Sequence, residues 1–152
     1  MRLVIISASI ALLAACSNAD EHTITDPDSG ESVTLRTAED AEAGIAPPAN
    51  LPAFAPIFPG ATVTASVSGN PDEAKGMVSF TTAASADAVI GFYRDKAVAA
   101  GLAEQAEMNM SGTRILTLAA TGSSDAGVQV TVSPLEGEDK RQVTLVYVAQ
   151  NQ

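Results

Sequence analysis

The sequence predicts an α+β domain: an antiparallel sheet of about five to six strands with one helix on one face, in the order β-β-α-β-β-β-β. Three observations point there. Short runs alternate apolar and polar residues, as where Val128, Val130 and Val132 are separated by Gln129 and Thr131; this is the period of a strand with one buried and one wet face. A single stretch keeps helical spacing, with Val89, Ile90, Tyr93, Ala97 and Ala100 falling on one side of a helix. Apart from the one that holds the helix, the connections between runs are short and rich in Gly, Asn, Asp and Ser, which suits antiparallel hairpins.

The elements follow in order. Residues 54–60 form an extended lead-in that closes on the Pro59-Gly60 turn. Residues 61–68 alternate as a strand, Gly69-Asn70-Pro71-Asp72 turns the chain, and residues 76–82 form the second strand. Ser85 then caps the helix, with Asp87 in its first turn facing the positive end of the helix dipole and Gly101 at its end. Residues 105–110 and 113–120 flank Ser111-Gly112 as a hairpin, and residues 127–133 and 141–149 flank 135–139 as another. Residues 143–148 are apolar on both faces, which makes that strand either central in the sheet or covered by an N-terminal hairpin.

Residues 51–152 hold all the aromatic residues, Phe54, Phe58, Phe80, Phe92, Tyr93 and Tyr147, and are long enough for one core and one domain. Residues 16–50 differ. Positions 17–50 carry eight acids against one base, Arg36, and no Phe, Tyr or Trp, which predicts an acidic tether bounded by the proline-rich stretch 46–52. As a flexible coil such a tether would hold the domain about 30–35 Å from its attachment point. Within it, residues 22–25 and 32–36 alternate around Asp26-Pro27-Asp28-Ser29-Gly30 and read as a hairpin, which persists only if it docks on the domain.

Residues 1–15 carry one charge, Arg2, then an apolar run and small residues, the pattern of a secretory signal cut between Ala15 and Cys16. The apolar run is too short to span a bilayer, which takes roughly 20 residues. Leu13-Ala14-Ala15-Cys16 resembles the lipobox of bacterial lipoproteins. The resemblance implies a diacylglyceryl thioether on Cys16, acylation of the new amino group (palmitate being typical) and a stable membrane anchor. By the same resemblance Ser17, standing where an aspartate would favour the inner membrane, implies the outer membrane with the domain facing the periplasm. Cleavage would remove Arg2 and leave the mature chain at −11.

A second likeness runs through Phe58-Pro59-Gly60-Ala61, residues 78–82, Gly91-Phe92-Tyr93 and Ala100-Gly101-Leu102. This pattern resembles small uncharacterised Gram-negative envelope lipoproteins; it supports the element order and implies no activity.

Candidate chemistry is sparse, and the chain is expected not to be an enzyme. His22, the one imidazole, lies in the acidic segment, so no Ser-His-carboxylate arrangement is available. Glu136, Glu138 and Asp139 sit on a hairpin tip, where no sheltered cleft raises a carboxyl pKa for acid–base work. Asp26-Pro27-Asp28-Ser29-Gly30-Glu31 starts like a calcium loop but lacks its later ligands. Met77, Met108 and Met110 are weak candidates for a soft-metal thioether site, and gap-filling in a core without Trp is the preferred reading. No cofactor is expected, and an acidic domain without clustered Lys and Arg disfavours nucleic acid.

The leading expectation is a lipid-anchored envelope protein attached to the membrane through Cys16, with a structural or protein-interaction role and an envelope protein as partner. The alternative is a small-ligand or metal binding module in the periplasm, its groove between helix and sheet lined by Phe92, Tyr93, Leu102 and Met77.

Overall fold

A computed structural model describes residues 19–70, 74–122 and 125–149. Its elements are β1 (Ala19–Thr25), β2 (Ser32–Ala38), β3 (Thr62–Ser68), β4 (Lys75–Thr82), α1 (Ala86–Ala99), β5 (Leu102–Met110), β6 (Thr113–Ala120), β7 (Gly127–Pro134) and β8 (Arg141–Val148). All strands join one antiparallel sheet of eight, in the order β1-β2-β3-β4-β8-β7-β6-β5. The fold is α+β, but the expected five to six strands are corrected to eight.

The two added strands come from the segment expected to be tether. Arg36 pairs with Ser66, Leu35 with Val67 and Thr34 with Ser68, so β2 continues the sheet beyond β3. Asn70 fastens the join, its side-chain oxygen accepting from the Ser32 amide at 2.8 Å and the Ser32 hydroxyl at 3.0 Å. The reason composition misled is that ladder hydrogen bonds are made by the backbone. An acidic, aromatic-poor hairpin can join an existing edge without a core of its own. Its turn is set by Asp26, whose carboxylate accepts from the Asp28 and Ser29 amides; the calcium-like spacing is turn chemistry.

Ser85 caps α1 as expected, its hydroxyl accepting from the Ala88 amide at 3.2 Å. Val89, Ile90, Tyr93 and Ala97 are buried, whereas Ala100, expected on the same face, is the exposed C-cap. The helix packs over β5, β6 and β7. Beneath it Phe80, Leu116, Leu118, Val130, Val132, Val143 and Leu145 are fully buried. β8 lies between β4 and β7, so its two apolar faces reflect a central position, with no hairpin lying across it.

Residues 39–61 cross the helix-side face as a strap. Phe54 and Ala55 are buried in the core, the Ile45 amide donates to the Val63 carbonyl at 2.8 Å, and Phe58 meets Phe92 edge-on at 5.1 Å. The Pro59-Gly60 turn forms as expected, with the Ala61 amide donating to the Phe58 carbonyl. Helix and strap thus cover the sheet from β5 to β4 and most of β3, and leave the β1–β2 quarter of that face open.

Candidate functional site

Alternation along β2 puts Ser32, Thr34 and Arg36 on the helix-side face, and pairing sets Ser66 and Ser68 of β3 and Glu21 of β1 beside them. The strap residues Pro48, Ala49 and Asn50 wall this quarter. Together they form an open groove of about 500 Å³. That is the size of a small-ligand site, and its lining mixes four hydroxyl side chains and the Arg36–Glu21 pair with the apolar surface of Pro48, Ala49 and Gly69. Ser66 is only 3% exposed. Arg36 Nε is buried and lies 3.0 Å from a Glu21 carboxylate oxygen, yet it makes no aligned hydrogen bond. The Glu21 charge therefore holds the guanidinium in place, and its partly exposed side chain lines the groove.

A second charged cluster lies where α1 meets the sheet. Glu107 accepts from both Arg94 and Arg114, Arg94 also pairs with Glu104 at 2.8 Å, and Arg114 with Asp87. The hydrogen bond from Arg114, reinforced by both positive charges, holds the Glu107 carboxyl below the usual carboxylate range. Each member has its partner, and the cluster joins the first turn of the helix to β5 and β6.

The residues expected to line a helix–sheet groove are not brought together. Tyr93 is fully buried and donates its hydroxyl to the Pro56 carbonyl at 2.8 Å; burial pushes its phenol well above the ordinary range. Leu102 is 5% exposed at the start of β5. Phe92 is half-buried between Phe58, Tyr93 and the ammonium of Lys96. Met77 faces the other side of the sheet. The expected groove is closed because core side chains fill the space under the helix.

Nor do the three methionines form a site. Met108 and Met110 are exposed on β5, and three strands separate β5 from Met77 on β4, which at about 4.8 Å per strand puts them nearly 20 Å apart. Among the described residues no group of three or more His, Cys, Asp or Glu side chains is placed to hold a metal ion. Glu136, Glu138 and Asp139 are exposed at the hairpin tip. Ala15, Cys16 and the whole signal segment lie outside the described residues.

The groove residues were missed from sequence because Arg36 and Glu21 read as solvated tether charges. The available signal was the alternation Ser32-Thr34-Arg36, which already sets three polar side chains on one face.

An antiparallel sheet with one helix and a strap on the same face is the frame into which the comparisons fit. The chain belongs to the START domain-like family, whose model matches residues 62–148. The match runs from β3 to β8 and includes α1; β1, β2 and the strap lie before it. No curated protein and no solved structure gives a match.

Proposed function

We propose that this chain is a non-enzymatic binding module, held at the cell envelope by lipid on Cys16, that takes a small polar ligand in the Arg36 groove. The groove carries the reading: a concavity of ligand size, lined by four hydroxyl side chains and the Arg36–Glu21 pair. Membership of a START domain-like family supports it, since such domains are typically binding modules. The matching chemistry is a hydroxylated or zwitterionic small molecule. It would offer an oxygen acceptor to Arg36 and hydroxyls or an amine to Ser66, Ser68 and Glu21.

A thermal-shift titration of the purified chain with hexoses, amino acids and inorganic phosphate tests this. A ligand at 100 times its Kd stabilises by about 2.7 kcal/mol, which is a rise of several degrees in Tm. The rise should disappear in Arg36→Gln and Ser66→Val while the unliganded Tm stays in place. If nothing in the panel shifts Tm, the groove reading fails.

Protein contact is the second reading, favoured by β5. This strand ends the sheet with one backbone edge open and exposed side chains at residues 104–110. In-cell crosslinking with Cys16→Ala as control separates the two: one defined partner, captured only by the anchored chain through β5, would favour contact.

A further inference from the structure

The first hairpin wears its apolar residues on the side away from the core. In β1 and β2 the helix-side positions are Glu21, Thr23, Thr34 and Arg36, while Ile24, Val33 and Leu35 point outward and are 75%, 48% and 39% exposed. Register is the reason this counts, since a slip of one residue would exchange the faces. The outward row continues without a break, Leu35 pairing with Val67, Val67 with Met77 and Met77 with Val146, and Val148 lies one pleat along. Among the described strand residues on this face, Asp20 and Lys75 are the only formal charges, in a chain with 18 acids and eight bases. A contiguous apolar row on a nearly uncharged face of an acidic protein marks a surface that something covers.

The start of the chain says what covers it. Cys16 precedes Ala19, the first residue of β1, by three residues, which can span at most about 11 Å. Once acylated, it cannot hold the sheet on a long tether, and the hairpin beside it carries the most exposed apolar side chain. We propose that the outer face of the β1–β4 and β8 sheet, led by Ile24, Val33 and Val146, lies on the lipid surface in which Cys16 is anchored. The contact is peripheral, since no described helix is long and apolar enough to cross a membrane. It turns the helix side, with the Arg36 groove, away from the lipid. The inference rests on the anchoring reading of Cys16.

The test uses the full chain, purified from membranes with its lipid and returned to phosphatidylcholine vesicles with brominated acyl chains. Single thiols for a polarity-sensitive fluorophore are introduced as Val33→Cys and Val146→Cys on the outer face and Val98→Cys on the exposed side of α1. All three sites are already exposed, so folding is not at stake. The bromolipid should quench the outer-face labels and leave the helix label bright. Equal brightness at all three sites overturns the proposal. So does protection at 33 and 146 that depends on protein density and ignores bromolipid, which would give the face to a second copy of the chain. Mass spectrometry of the Cys16 peptide reads the anchor separately. Acylation without outer-face quenching sinks the docking alone, and an unmodified Cys16 sinks the anchoring reading on which it rests.

Discussion

Two buried tyrosines separate what a hydroxyl contributes from what a ring contributes. Tyr93 donates to the Pro56 carbonyl and so ties the strap to the helix, whereas the Tyr147 hydroxyl is buried and meets no partner among the described residues. Tyr93→Phe should cost about 1 kcal/mol in urea unfolding by leaving that carbonyl unpaired, while Tyr147→Phe should be neutral or slightly stabilising. An equal loss in both variants would show that Tyr147 has a partner after all. The Tyr147 ring is accommodated because its cross-strand neighbour is Gly76. A β-carbon there would sit 2.5 Å from the Val67 carbonyl oxygen and 2.9 Å from the Tyr147 hydroxyl. Gly76→Ala should therefore destabilise by about 2 kcal/mol or more, because neither the ladder nor the ring can yield cheaply.

Elements are joined here by a few polar contacts whose partners lie far apart in sequence. Glu107 sits on β5 and bonds both Arg94 of α1 and Arg114 of β6. Its carboxyl is held low in the folded chain, so the stabilisation it provides is present above about pH 4.3, the ordinary Glu value, and is lost as pH falls through its folded value. Glu107→Gln should lower stability by at most about 1 kcal/mol at pH 7, given its partial exposure, and the gap from the unaltered chain should close in acid. A gap that does not narrow at all as pH falls below about 4.3 would assign the loss to packing. At the other end of the sheet, Asn70→Ala removes the acceptor shared by two Ser32 donors. The β1–β2 amides should then exchange with deuterium faster while those of β6–β8 stay protected.

For the whole molecule, the hairpin covers an edge. Without residues 19–38 the β3 strand would present an open ladder beside an apolar row, while the helix, the core and strands β3–β8 would keep their contacts with one another. A chain truncated to begin at residue 39 should therefore fold, with near-UV circular dichroism intact, yet associate at concentrations where the full chain stays monomeric in gel filtration. Loss of cooperative unfolding in this variant would mean that the hairpin is part of the folding unit.

The sequence by itself determined much of this fold. The Ser85 cap, the helix face of Val89, Ile90, Tyr93 and Ala97, the Ser111-Gly112 turn and the six strands from 62 onward were all legible. Each depends on residues close together in the chain, and local sterics and periodicity suffice for them. Ser111 and Gly112 do adopt the paired left-handed conformations, with φ of 51° and 85°, that a two-residue hairpin turn needs. Only the tertiary structure decided the rest. It placed the 19–38 hairpin in the sheet, closed the space under the helix, parted Met77 from Met108 and Met110, and gathered Arg36, Glu21 and Ser66 around one groove. The physical reason is common to all four. Strand pairing is made by backbone groups that every residue carries, so side chains specify which face a residue takes far more strongly than which distant strand it will lie beside.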